Sequence, residues 1–140
     1  MRVPFVLRAV YKGEKMAAKI LVVDDEMHLA KIIQLTLEHA GYEAVLAYDG
    51  KEALEMVRRE RPALVILDLM LPVLDGYKVC NIIKGDDESK GIRVIILTGR
   101  DLSREQIDEP LGADLVIMKP FNSTFLVEKI SELLERNLSF

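Results

Sequence analysis

Four short apolar runs, each followed by or ending on a polar residue, constrain the fold of this chain most. The runs are rich in Val, Ile and Leu and have the length of β-strands. They cover residues 19–23, 64–67, 92–97 and 115–118, and they lead into Asp24 and Asp25, into Asp68, into Thr98 and into Lys119, respectively. Segments with the apolar spacing of α-helices lie between most of them. This alternation predicts an α/β protein with a parallel sheet built from βαβ units.

The intervening segments can be assigned in outline. Leu29, Ile33 and Leu37 recur at helical spacing, and Gly41 is placed to end that helix. Residues 43–47 are predicted to form a fifth strand, and the helix after it is predicted to stop near Pro62. The last helix is predicted to start with Asn122 or Ser123 as its cap.

The order of the polar residues predicts a site at one edge of the sheet. In open parallel sheets the carboxyl ends of the strands share the edge where ligands bind. The carboxylates of Asp24, Asp25 and Asp68, the hydroxyl of Thr98 and the ammonium of Lys119 would therefore converge. Two carboxylates about 4 Å apart repel by ~4 kcal/mol at an effective dielectric near 20, which a divalent cation would relieve. Oxygen-only ligation suits Mg²⁺ or alternatively Mn²⁺.

The same site suggests a chemistry, although each residue alone has an ordinary explanation. A carboxylate at a strand end, such as Asp68, can attack phosphorus and form an acyl phosphate. Taken singly, Asp24 or Asp25 could cap a helix, Asp68 could start a turn, and Lys119 could be a solvated surface residue. Their joint placement favours the phosphate-handling interpretation. Pro120 imposes extended geometry on Lys119 and allows a cis peptide bond.

Size, charge and cysteine content narrow the function classes. The 140 residues suit one domain, and a net charge of −4 without a basic cluster argues against direct DNA binding. Cys80 is the single cysteine, so we predict a core residue in a reducing compartment. No apolar run reaches the ~20 residues that span a bilayer. Arg8 interrupts the apolar stretch at the start of the chain, whereas the apolar region of a signal peptide is uninterrupted. A cytoplasmic protein without membrane association is expected.

Residues 1–17 are interpreted as an N-terminal extension to a domain that covers residues 18–140. Its odd-numbered positions 3 to 11 are apolar, which predicts an extra β-strand along a sheet edge. Pro4 suits an edge position, where a missing donor costs little. The alternative is an accessory tail without a structural role, and Met16 resembles a natural start of the chain.

Several motifs together resemble one known family, the receiver domain of two-component response regulators, including the chemotaxis type. They are residues 20–26, 67–72, 75–76, 97–98 and 119–121. The resemblance covers about residues 18–136. It implies a flavodoxin-like, doubly wound, five-stranded parallel sheet with strand order 2-1-3-4-5, an order that is a standard example of such folds.

The resemblance also implies roles for individual residues. Asp68 matches the phosphoacceptor, Asp24 and Asp25 match the acidic pair that organises Mg²⁺, and the backbone carbonyl of Met70 is a further ligand. Thr98 matches the switch hydroxyl and Lys119 the lysine that contacts the phosphoryl group.

The resemblance further implies how the protein would be used. A histidine kinase or phosphotransfer protein would donate the phosphoryl group, and output would pass to an unknown downstream protein through contacts. No effector sequence follows the last helix in this chain, so a stand-alone receiver is expected. It would not be an enzyme, apart from slow self-dephosphorylation.

The chain departs from the family pattern on the output side. Val116 stands three positions before Lys119, where the family usually has an aromatic residue, and Gly99 replaces the usual alanine after Thr98. The segment between Thr98 and Gly112 is about one residue shorter than usual and contains Pro110. Residues 103–108 suit a helix there, but Pro110 would break it early.

These departures keep an inert or atypical pseudo-receiver, acting as a protein-binding module, as the alternative. Against it, all five motif positions are retained. A hydrolase using an aspartyl-phosphate is disfavoured because Met70 stands where such enzymes place a second aspartate. A flavin carrier of the same fold is disfavoured because no phosphate-binding loop follows the first strand.

Overall fold

The computed structural model describes residues 18–99 and 112–135, which contain five strands and four helices. Along the chain these are β1 (Lys19–Val23), α1 (Met27–His39), β2 (Glu43–Ala47), α2 (Gly50–Glu60), β3 (Leu64–Leu67), α3 (Gly76–Gly85), β4 (Arg93–Thr98), β5 (Leu115–Met118) and α4 (Ser123–Glu135). The predicted strands are confirmed, but the fourth is shifted by one residue at both ends: it was predicted at residues 92–97, and β4 begins at Arg93 and ends on Thr98.

The five strands form one parallel sheet in the order β2-β1-β3-β4-β5. The predicted flavodoxin-like order is therefore confirmed. β1 pairs on one side with β2, beginning with Lys19 opposite Glu43, and on the other side with β3, beginning with Ile20 opposite Leu64. The strand order reverses at β1 and β3, which is where doubly wound sheets bind their ligands.

Helices cover both faces of the sheet, and successive residues of a strand serve the two faces in turn. On one face Leu21 and Val23 of β1 join the core cluster that includes residues of α2 and α3. On the other face Ile20 and Val22 join the cluster that includes residues of α1 and α4. β3 is buried throughout, whereas the edge strand β5 leaves Val116 40% exposed.

The starts of α2, α3 and α4 are set by side-chain caps that accept otherwise unpaired backbone N–H groups. Asp49 accepts from the N–H of Glu52 at 2.7 Å before α2. Asp75 caps α3 in the same way. Of the two residues predicted to cap the last helix, Asn122 has this role, with its Oδ1 2.8 Å from the backbone nitrogen of Thr124.

An ionic cluster that the sequence analysis did not predict lies at the amino-terminal edge of the sheet. Asp114 accepts hydrogen bonds from Lys84 of α3 at 2.8 Å, from Arg93 of β4 at 3.2 Å and from the N–H of Val94 at 2.8 Å. Burial acts to raise the pKa of Asp114, but these hydrogen bonds and the Lys84 charge outweigh it, so the pKa is lowered. The cluster fastens α3, β4 and the start of β5 together.

Cys80 is fully buried in α3, as predicted, and burial raises the pKa of its thiol to about 11. The predictions for the extension at residues 1–17, for an edge strand at residues 3–11, and for residues 103–108 and Pro110 lie outside the described residues. Within the described ranges no helix is long and apolar enough to cross a membrane.

Candidate functional site

Backbone hydrogen bonds just past the strands hold the predicted site residues at one sheet edge. The N–H of Asp24 donates to the carbonyl of Ala47 at 3.1 Å, and the N–H of Asp68 donates to the carbonyl of Val23 at 3.0 Å. The N–H of Lys119 donates to the carbonyl of Thr98 at 2.8 Å. The sheet ladder therefore extends one residue into the site and fixes where its side chains begin.

Three carboxylates meet at this edge. Asp24, Asp25 and Asp68 each offer one oxygen, and the three oxygens lie within 4.8 Å of one another. Asp24 is 2% and Asp68 is 8% exposed, whereas Asp25 faces solvent. A compact set of carboxylate oxygens with one open side fits a hard divalent cation that retains some of its water. The residues present therefore fit Mg²⁺, and Mn²⁺ as the alternative.

Lys119 bridges the two buried carboxylates. Its Nζ lies 2.9 Å from Oδ2 of Asp24 and 3.0 Å from Oδ2 of Asp68. The other carboxylate oxygens accept backbone N–H groups: Oδ1 of Asp24 accepts from Glu26 at 2.9 Å, and Oδ1 of Asp68 accepts from Met70 at 3.0 Å. Each buried carboxylate is thus held at both oxygens.

Burial and pairing act against each other in this network. Burial alone would lower the pKa of Lys119, but its hydrogen bonds to Asp24 and Asp68 and their charges outweigh this, so the pKa is raised. Burial raises the pKa of Asp24, despite hydrogen bonds from Glu26 and Lys119. Lys119 therefore carries its charge at neutral pH, and its ammonium offsets part of the cost of burying the carboxylate of Asp24.

Gly76 shapes the floor beneath Asp68. A Cβ atom at position 76 would lie 2.3 Å from the backbone oxygen of Asp68 and 2.6 Å from the Cα of Leu69. Its N–H donates to the carbonyl of Leu69 at 3.0 Å. Only glycine allows α3 to begin this close to the loop after β3. The sequence contained the Asp75–Gly76 pair as a family motif, but not this steric reason for it.

The remaining predicted residues lie at the same edge. Thr98 is fully buried at the end of β4, and since Leu67 pairs with Ile96, it lies one residue beyond the position opposite Asp68. Met70 is 62% exposed, and its backbone N–H donates a hydrogen bond to the carboxylate of Asp68. The structure thus brings Asp24, Asp25, Asp68 and Lys119 into one cluster. The roles of the Thr98 hydroxyl and the Met70 carbonyl stay predictions.

A doubly wound parallel sheet with an acidic, lysine-bridged cluster at its carboxyl edge defines a class of flavodoxin-like α/β domains. Within that class, residues 20–131 match the family model of the response regulator receiver domain. The chain belongs to this family, whose members are signalling domains of two-component systems.

Relatives and solved structures agree with this assignment. A protein described as "Probable transcriptional regulator ycf27" from Porphyridium aerugineum is 42% identical over 119 residues, covering 84% of this chain and 48% of that protein. The chain therefore spans about half the length of this relative. The Francisella response regulator 1452 receiver domain has a TM-score of 0.79 at 30% identity, covering 86% of this chain and 99% of the other. A CheY-like receiver domain protein from Methanospirillum hungatei JF-1 has a TM-score of 0.78 at 29% identity, with 86% and 96% coverage.

Proposed function

We propose that this protein accepts a phosphoryl group on Asp68 from a histidine kinase or a phosphotransfer protein. The observation that carries the proposal is the position of the Asp68 carboxylate, 8% exposed, within 3.0 Å of the Lys119 ammonium and beside Asp24 and Asp25. A nucleophilic carboxylate, a cation that can pair with phosphoryl oxygens and an acidic metal cluster are the groups that such a transfer needs.

The transfer is a substitution at phosphorus. A carboxylate oxygen of Asp68 forms a bond to phosphorus as the bond from phosphorus to the donor's imidazole nitrogen breaks, and that nitrogen keeps the electron pair. The hydrogen bond from the N–H of Met70 orients the carboxylate. Lys119 is close enough to move from the carboxylate to a phosphoryl oxygen as charge develops there.

Asp24, Asp25 and Asp68, with the backbone carbonyl of Met70, would hold Mg²⁺, or Mn²⁺ in its place. A bound divalent cation supplies positive charge that offsets the phosphoryl oxygens. The protein's own part is to hold these carboxylates together against their repulsion, through Lys119 and the backbone N–H groups already described.

We further propose that the signal leaves through the Thr98 hydroxyl and its neighbour Gly99. Val116 has no ring that could rotate, and among the described residues no atom lies within 4 Å of the position that a Cβ at Gly99 would take. A downstream protein would recognise that shift by contact, without direct DNA binding by this domain. Slow self-dephosphorylation would end the signal.

A stand-alone role stays a proposal, because the relative named as a probable transcriptional regulator is about twice as long as the matched part of this chain. The cytoplasmic location expected from the sequence is a proposal as well. The buried thiol of Cys80, the single cysteine of the chain, is compatible with a reducing compartment.

Phosphorylation by a small-molecule donor tests the proposal directly. The protein is incubated with acetyl phosphate, with and without Mg²⁺, and its intact mass is measured. Wild type should gain one phosphoryl group only with Mg²⁺, and Asp68→Ala should gain none. Asp87→Asn is the matched control, since Asp87 has a side chain 93% exposed on a loop away from the site, and it should behave as wild type.

The same assay separates the proposal from the pseudo-receiver alternative. Absence of any mass gain in wild type, with binding of Mg²⁺ detected by thermal shift, would favour a binding module that keeps the fold without the chemistry. Equal gain in wild type and Asp68→Ala would refute the assignment of Asp68.

A further inference from the structure

A cavity lies between the carboxyl-terminal ends of α2 and α3, at the sheet edge opposite the phosphorylation site. Its volume is about 360 Å³, within the range of pockets that hold small ligands or a few side chains. Its apolar lining includes Ala63, Ile82 and Ile92. Ile82 is 41% exposed, so the apolar lining of the cavity is partly open to solvent.

The two sides of the cavity carry opposite charges. Arg58 and Arg61 line it from α2 and its end, and Asp86 and Glu88 line it from the loop after α3. Arg61 ends α2 in the left-handed conformation, with φ of 46°, where glycine is usual. Among the described residues, neither arginine has an ion-pair or hydrogen-bonding partner for its side chain. A ligand with separated charges and an apolar centre would satisfy both walls.

The amino-terminal extension is joined to the described part of the domain at Ala18, directly before β1. The carbonyl of Ala18 accepts the N–H of Glu43 at 3.0 Å, and the carbonyl of Lys19 accepts the N–H of Ala63 at 2.9 Å. Since Ala63 lines the cavity, Lys19, the first residue of β1, lies about one strand spacing, ~4.8 Å, from the cavity lining. An extended segment of the length of residues 1–17 spans at most ~56 Å, so it can reach across the cavity without strain.

The composition of the extension complements the cavity. Residues 3, 5, 6 and 7 are Val, Phe, Val and Leu, flanked by Arg2 and Arg8. Residues 1–17 contain four basic residues and one acidic residue, Glu14, which is only four residues from Ala18. The apolar centre suits the cavity floor, the two arginines suit the acidic wall, and Glu14 suits the arginine wall.

We infer that the extension docks its apolar residues 3–7 in this cavity of the same chain, with Arg2 and Arg8 against Asp86 and Glu88. The occupied cavity covers Ile82 and the ends of α2 and α3. The docked segment lies at the edge of the sheet opposite Asp68, so it leaves the phosphorylation site open.

A spin label tests the docking in the full chain. Ala9→Cys is labelled with a nitroxide, which reacts selectively because Cys80 is fully buried. Amide signals of Glu88 and Gly91 should be lost in ¹⁵N spectra of dilute protein, while those of Val45 and Leu46 on the edge strand β2 should remain. Adding Ile82→Glu should restore the lost signals. Ile32→Glu, an equally drastic change on α1 across the sheet, should not.

Three results would overturn the inference. Loss of the β2 signals alone would place the extension along the sheet edge. Equal intensities throughout would show that it occupies neither surface. In a third experiment, chains that carry the nitroxide but no ¹⁵N are mixed with ¹⁵N chains that carry no nitroxide. Loss of the Glu88 and Gly91 signals in this mixture would assign the cavity to the extension of a second copy.

Discussion

The ammonium of Lys119 lies between the carboxylates that would hold a metal ion, and this position predicts how its loss changes the free energy of unfolding. Its Nζ lies 2.9 Å and 3.0 Å from two carboxylates that are themselves within 4.8 Å of each other. At an effective dielectric near 20, each attraction amounts to ~5.5 kcal/mol and the carboxylate repulsion to ~3.5 kcal/mol. Desolvation offsets much of the attraction, so we expect the Lys119→Met variant to lose about 3 kcal/mol of unfolding free energy without metal.

Mg²⁺ should reverse part of that loss. A ligand that binds the folded state raises stability by RT ln(1 + [L]/Kd), so tighter binding gives a larger increment at fixed concentration. Lys119→Met removes the ammonium that competes with metal for Asp24 and Asp68. If its Mg²⁺ affinity rises tenfold, the Mg²⁺-dependent increment exceeds that of wild type by ~1.4 kcal/mol at high metal. Urea unfolding with and without Mg²⁺ measures both quantities.

Lys84→Met is the matched control. The Lys84 ammonium lies 2.8 Å from Asp114, and its side chain is 19% exposed against 21% for Lys119, but it is at the opposite sheet edge. It should also destabilise the protein, with the same Mg²⁺ increment as wild type. If wild type and both variants gain equally from Mg²⁺, Lys119 does not compete with the metal and the reasoning is wrong.

Three further outcomes are expected. Asp114→Asn should lower the free energy of unfolding by about 2 kcal/mol at pH 7. Because the pKa of Asp114 is lowered in the folded state, this difference from wild type should persist down to about pH 4. It should vanish as the pH falls through the pKa of the folded state. A difference that grows in acid would contradict this. Gly76→Ala should cost about 2 kcal/mol in urea unfolding because its Cβ would meet backbone, whereas Gly85→Ala in the same helix, where space is open, should not destabilise. Val116→Tyr should leave phosphoryl uptake unchanged while altering partner binding, and a collapse of uptake would show that Val116 supports the site.

The sheet could be predicted because its signals are local. Each strand is a short run of β-branched and aliphatic residues, and the later helices start at capping residues such as Asp49 and Asn122. Strand order followed from the family resemblance. The placement of Asp24, Asp68 and Lys119 at one edge then followed from the parallel arrangement alone.

Other features depend on contacts that no local pattern encodes. Asp114 is an ordinary polar residue in the sequence, and its three partners come from 20 to 30 positions away. Arg61 and Val73 have positive φ values of 46° and 71°, where sequence patterns expect glycine or asparagine. The double contact of Lys119 was also unexpected, since the sequence predicted its proximity to the phosphoryl group but not a bridge between carboxylates.

The bridge from Lys119 to Asp24 joins residues 95 positions apart, and the bridge to Asp68 joins residues 51 apart. The site therefore comes into existence only after β1, β3, β4 and β5 have all taken their places. A nascent or partly unfolded chain has an aspartate at position 68 but lacks the lysine-bridged carboxylate cluster around it. If Asp68 accepts a phosphoryl group as proposed, only completely folded molecules can be phosphorylated there, and damaged molecules stay unphosphorylated.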